Sequence, residues 1–124
     1  MDTSTIGDPL PAEAVRLLEA LLQDDDPTHR ALLAQLPHLR VTGHCRCPCA
    51  SLDFGLDQAA APAAPVTRNP AAEAPIHDAD GEPVGGVLVF TQDGYLSGLE
   101  VHTWADEPIT RLPHPDRLFR LPRG

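Results

Sequence analysis

The spacing of apolar residues changes once along this chain, near Leu39, and that change limits the folds open to it. Before it, residues 11–23 repeat apolar side chains every three or four positions, which predicts an amphipathic helix. Asp26 and Pro27 are residue types that cap and begin a second helix, which we expect to end just before Pro37. The first third of the chain is therefore predicted to be helical.

From Leu39 onward apolar and polar residues alternate, which is the period of a β-strand. The apolar phase runs through odd positions to Cys49 and then switches to even positions from Ala50 to Leu56. A phase switch at Pro48 predicts a turn, a bulge or a break between two strands.

The second strand pair is predicted to be a hairpin. Residues 86–90 (GVLVF) are typical of a buried strand, residues 92–94 (QDG) favour a tight turn, and residues 95–104 alternate as a return strand. We expect its core side chains to be Val87, Val89, Leu99 and Val101. The predicted fold class is α+β, with the two N-terminal helices packed on one face of an antiparallel sheet of about four strands.

The whole chain, residues 1–124, is predicted to form one domain, because its length suits a single hydrophobic core. Residues 57–82 are rich in alanine and proline without a steady period, so we expect a flexible loop that covers little. Residues 113–119 are compatible either with one more short strand or with a segment lying across the sheet.

Charge narrows the classes of partner. The chain has a formal net charge of −9, its nine basic residues are all arginine, and they form no cluster. Phosphate-backbone binding needs concentrated positive charge, so nucleic acid is not expected as a partner.

No apolar run is long enough to cross a bilayer, and the N-terminal residues lack signal-peptide features. We expect a cytoplasmic protein that does not enter membranes, and the sequence leaves its oligomeric state open.

Three cysteines at alternate positions, Cys45, Cys47 and Cys49, with His44 beside them, are the most specific chemical feature. Closely spaced thiolates bind soft metals such as zinc or copper(I). In a regular strand, however, side chains two residues apart are about 7 Å apart, so binding one ion would require a turn at Pro48. The alternative is that the cysteines are small buried residues, and no cofactor is then expected.

A second candidate site lies on the predicted return strand. Glu100, His102 and Trp104 have the spacing that places side chains on one face of a sheet. A histidine beside a carboxylate can transfer protons or bind a ligand, and a partly exposed strand face explains the same residues without a site. The other histidines are scattered along the chain.

Several motifs occur in a recognisable order: a leucine-rich helical start, residues 43–49 (GHCRCPC), residues 93–101 (DGYLSGLEV) and Leu112-Pro113. In this the chain resembles an uncharacterised family of small actinobacterial proteins that pair a Cys-x-Cys strand with a C-terminal DG-x-L-x-x-LEV hairpin. The resemblance implies an α+β fold and brings no activity with it. A high-GC source also agrees with the absence of lysine.

No spacing in the sequence joins a nucleophile to a base, and no glycine-rich phosphate loop is present, so an enzyme is the less favoured class. The favoured function is a non-catalytic binding or accessory protein that acts through its acidic surface, such as an inhibitor or immunity-type partner of a larger protein. The first alternative is a small metal-binding protein that uses the cysteine cluster. The second is a small-molecule enzyme whose pocket lies between the helices and the sheet.

Overall fold

The structure, a computed structural model, describes residues 7–44, 50–104 and 109–118. Its two α-helices are α1, Ala12–Leu21, and α2, Pro27–Gln35. The Asp26 side chain accepts a hydrogen bond from the backbone N–H of His29 at 2.8 Å and so caps α2, as its sequence predicts. Within the described residues, no helix has the length and apolarity to cross a membrane.

The described strands all belong to one antiparallel sheet, and they number six where the sequence predicts about four. The strands are β1, Asp8–Pro9; β2, Arg40–His44; β3, Leu52–Gly55; β4, Ala72–His77; β5, Pro83–Gln92; and β6, Tyr95–Thr103. Their order across the sheet is β1-β2-β3-β6-β5-β4. The α+β class is therefore confirmed, and the strand number is corrected.

The two unpredicted strands lack the pattern by which a strand is recognised. β1 has only two residues, which is too short to show a period. β4 lies within residues 57–82 and has the sequence AEAPIH. Its two alanines and its proline interrupt the alternation of large apolar and polar side chains by which a strand is recognised. Backbone pairing with β5 along its whole length holds β4 in the sheet.

Residues 57–82 therefore contribute more to the fold than their composition predicts. Ala61, Ala64 and Ala71 are buried there along with residues of β4. The Asn69 side chain donates to the carbonyl of Thr91 at 2.9 Å and accepts from its N–H at 3.0 Å, as a paired strand residue would. The expectation that this segment covers little is wrong, because alanines contact the core through small surfaces and through their backbone.

The β5–β6 hairpin agrees with its prediction. Gln92 pairs with Tyr95, so Asp93 and Gly94 form a two-residue turn, and both have positive φ, at 55° and 88°. This is the backbone that an Asp-Gly pair favours. Within residues 113–118 the structure has a 3₁₀ helix, Pro115–Arg117, and a single β-bridge from Leu118 to Ile76.

One hydrophobic cluster joins the helices to the sheet. Leu17 and Leu18 of α1 and Leu32 of α2 are fully buried in it. From the sheet, Val87 and Val89 of β5 and Leu99 and Val101 of β6 enter the same cluster at 2% exposure or less, which confirms the four predicted core residues. We call this side of the sheet the closed face and the opposite side the open face.

Candidate functional site

The open face is made by the residues that alternate with the core residues of β5 and β6. Leu88 pairs with Glu100, between the buried pairs Val87–Val101 and Val89–Leu99, and Gly86 pairs with His102 two positions further along the ladder. Leu88 and Phe90 are half-buried, yet neither belongs to the hydrophobic cluster or packs against it. Apolar side chains therefore lie on both sides of these strands, but the helices cover only one side.

The structure places the three predicted sheet-face residues, Glu100, His102 and Trp104, on this open face. The imidazole of His102 lies over Gly86: a β-carbon on that glycine would be 2.7 Å from Nε2. The rings of His102 and Trp104 are 6.0 Å apart between centroids and tilted by 51°. A glycine on β5 thus leaves the space in which the His102 ring packs and meets Trp104.

Trp104 is the exposed member of this group. It is 59% exposed and is the one exposed large hydrophobic side chain in the described part of the chain. Its backbone N–H donates to the carbonyl of Val84 at 2.9 Å, which continues the β5–β6 pairing by one residue. An indole is therefore held at the end of a paired strand, where a partner can reach it.

Acidic side chains border the apolar part of the open face. Glu73 on β4 pairs with Leu88, Glu100 on β6 pairs with the same leucine from the other side, and Asp53 on β3 pairs with Gly98. All three acids are exposed. Among the described residues, none of the three makes a salt bridge.

Glycines leave the Asp53 carboxylate accessible from both sides. A β-carbon on Gly43 would lie 3.1 Å from its Oδ2, and one on Gly98 would lie 4.0 Å from its Oδ1. The carboxylate is therefore placed between two neighbouring strands that have no side chain there. The open face has an aromatic end at Trp104 and acidic groups on the flanking strands.

Sequence reasoning identified only one strand of this surface. It missed Asp53, Glu73, Leu88 and Phe90. Residues 86–90 are apolar at every position after the glycine, so Leu88 and Phe90 do not stand out as members of an exposed face. The sequence does contain a signal for Leu88 and Phe90. They alternate with Val87 and Val89, so the two sets of side chains point to opposite faces of the strand. Only the sheet order brings Asp53 and Glu73 to the two sides of β5 and β6.

The cysteine cluster lies outside the described residues. Cys45, Cys47 and Cys49 fall in the gap at 45–49, and for His44 the structure gives its backbone alone, which pairs with Leu52 at the end of β2. The predicted zinc or copper site at these four residues therefore stays a prediction.

A different group has ligand atoms close together at the start of α2. Donor atoms of Asp24, Asp26 and His29 all lie within 4.8 Å of one another. Hydrogen bonds already engage these residues: the N–H of Asp24 donates to Nδ1 of His29 at 3.3 Å, and Asp26 caps the helix through the N–H of His29. Capping of α2 thus accounts for the arrangement without a metal.

Clefts beside the helices are the candidates for an enzyme pocket. One of them, of about 610 Å³, lies at the start of α1 and is lined by Glu13, Ser51, Arg111 and neighbouring residues. The Ser51 hydroxyl accepts from the N–H of Val101 at 2.9 Å and donates to its carbonyl at 3.3 Å. That serine continues the β3–β6 pairing just before β3, and the described residues that line this cleft include no histidine.

The chain matches no protein-family model, no curated protein and no solved structure.

Proposed function

We propose that this protein is a non-catalytic binding or accessory protein that docks a partner protein through the open face of its sheet. The observation that carries the proposal is the exposed Trp104, packed beside His102 on the same face of the sheet as the half-buried Leu88 and Phe90. Tryptophan is enriched among the residues that dominate the binding energy of protein interfaces. An inhibitor or immunity-type partner of a larger protein is the form of this function that the small acidic chain suits.

A protein partner suits this surface better than a small molecule does. The open face is a side of a sheet, whereas small-molecule sites are concave and bury most of their ligand. A sheet face can instead contribute the apolar centre and polar rim of a protein interface. We propose the cytoplasm as the setting, on the grounds of composition given above.

The test compares two variants as baits in a lysate of the source organism. We expect the wild-type protein and Glu19→Ala, a change on the exposed side of α1, to retain the same partner, and Trp104→Ala to lose it. Because Trp104 is largely exposed, its replacement changes the free energy of unfolding by about 0.5 kcal/mol or less. Circular dichroism checks that the variant is folded. Equal retention of the partner by Trp104→Ala would overturn the proposal.

A purified partner then allows a direct measurement. Trp104 is the single tryptophan of the chain, so its fluorescence reports on the open face alone. Docking that buries the indole shifts its emission to shorter wavelength when the partner's own signal is subtracted. An unchanged emission at saturation would place the interface elsewhere.

Metal binding by the cysteine cluster is the second candidate function. It is supported by the spacing of Cys45, Cys47 and Cys49 beside His44. Zinc or copper would then be held by thiolates, and the metal analysis described in the Discussion tests it.

A further inference from the structure

We infer that the segment docking on the open face is basic and apolar: it turns both arginine or lysine side chains and aliphatic or aromatic ones toward that face. This inference rests on the proposed function and names the chemistry of the partner. It follows from the charges and the apolar groups that the face displays together.

The charge on the open face is predominantly negative. Asp53, Glu73 and Glu100 are exposed on three different strands, while Arg40, paired with Gly55 at the far side of the sheet, is the one described cation at an open-face position. The formal net charge of −9 reinforces the local sign. Complementary charges speed encounter and exclude wrong partners.

The register brings acidic and apolar groups within reach of one extended segment. Glu73, Leu88 and Glu100 form one row across β4, β5 and β6. Neighbouring strands lie about 4.8 Å apart, so the backbone positions of the two glutamates are about 10 Å apart, with that of the leucine between them. An extended segment that runs along this row would place a cation beside each glutamate and an apolar side chain beside Leu88.

Trp104 adds a second reason for a cationic partner. Cations bind the face of an indole ring, and arginine does so most often. His102 tilts against one side of this ring and leaves the indole 59% exposed. A partner arginine can therefore stack on Trp104 and still lie close to the acidic strands.

The same charges argue against two other occupants. A second copy of the chain, related by a two-fold axis, would bring this acidic face against an identical acidic face, and like charges at an interface are unfavourable. Nucleic acid would bring phosphates against the same acids. A basic protein segment is the occupant that the face favours.

The experiment uses capped hexapeptides as probes of the full-length protein. The first carries arginine, leucine and arginine at alternate positions with serine between them, the second has glutamate in place of both arginines, and the third has serine in place of the leucine. Binding is followed by Trp104 emission and by backbone amide shifts in nuclear magnetic resonance spectra. We expect the arginine–leucine peptide to shift the backbone amide signals of the open-face residues of β5 and β6. It should do so at a lower concentration than either of the other two peptides.

Matched variants test the role of the face acids. Glu100→Gln should weaken binding of the arginine–leucine peptide by about threefold, the size expected for loss of one exposed ion pair. Glu19→Gln removes the same charge from α1 and should leave the affinity unchanged. Equal weakening by both variants would mean that net charge acts and the face does not, which would overturn the inference.

Two further outcomes separate this inference from the proposed function. Tighter binding of the glutamate–leucine peptide at the same amides would overturn the basic partner and leave the docking face standing. Equal binding of the arginine–serine and arginine–leucine peptides would remove the apolar half of the inference. Loss of the lysate partner in Trp104→Ala judges the docking face independently of all three peptides.

Discussion

On the closed face of the sheet, β5 and β6 contribute Val89 and Leu99, which the helices bury almost completely. On the open face, the same two strands contribute Leu88, His102 and Trp104, and the last is more than half exposed. Both faces have apolar groups, so hydrophobic content does not distinguish them. What distinguishes them is that leucines of α1 and α2 cover the closed face, whereas the open face combines apolar groups with exposed carboxylates.

Two adjacent glycines show the difference at the scale of one atom. A β-carbon on Gly85 would press into the backbone carbonyl of His102 and lie 2.9 Å from Cδ1 of Ile109, on the closed face. The three atoms nearest a β-carbon on Gly86 would all belong to the His102 ring, on the open face. Backbone cannot move aside without breaking the β5–β6 ladder, whereas a side chain can turn toward solvent.

The largest expected effect is on the closed face. Leu99→Ala should lower the free energy of unfolding by about 2–5 kcal/mol, because it leaves a cavity in the cluster shared with the helices. Leu88→Ala, at a neighbouring position of the ladder, should cost about 1 kcal/mol or less, because its side chain is only half-buried. Urea titration measures both values. Similar losses would mean that the open face is also packed, and the comparison between faces would fail.

The glycine pair sharpens the same comparison with identical substitutions. Gly85→Ala should cost about 3 kcal/mol, since the added methyl meets backbone, while Gly86→Ala should cost about 1 kcal/mol or less. Thermal unfolding ranks the two variants. Gly86→Ala should also change Trp104 emission in the folded protein, because the displaced imidazole is the neighbour of the indole. A larger loss in Gly86→Ala than in Gly85→Ala would reverse the assignment of the faces.

The smallest expected effect concerns the cysteine cluster. We expect protein purified without an affinity tag to contain no stoichiometric zinc or copper, and a chelator to leave the reactivity of Cys45, Cys47 and Cys49 toward a thiol reagent unchanged. Bound metal would shield the thiolates until the chelator removed it. Release of stoichiometric metal together with exposure of thiols would make metal binding the leading function and the open face secondary.

Features that depend on a few neighbouring residues were predictable from the sequence. Asp26 and Pro27 specify the start of α2. The Asp26 side chain accepts a hydrogen bond from one of the first backbone N–H groups of the helix, and Pro27 has no N–H that would need a partner. Asp93 and Gly94 specify the hairpin because positive φ at both positions is inexpensive for these residue types. In each case the deciding interactions lie within one turn of chain.

Features that depend on distant partners were not predictable. β4 joins the sheet by backbone pairing with β5, and its alanines and Pro75 carry no strand pattern of their own. Gln35 is fully buried in α2, where its side-chain amide donates to the carbonyl of Gly94 and its oxygen accepts from the N–H of Leu96. Nothing near Gln35 in the sequence indicates that it would meet a hairpin turn about sixty residues away.

The candidate site divides in the same way. Alternation along β6 sets Glu100, His102 and Trp104 on one face, because side chains of a strand point alternately to its two sides. The same alternation cannot say which side the helices cover, since it describes both sides equally. That choice, and the arrival of Asp53 from β3 and Glu73 from β4, come from the strand order and from the packing of α1 and α2, which are contacts between residues far apart in the chain.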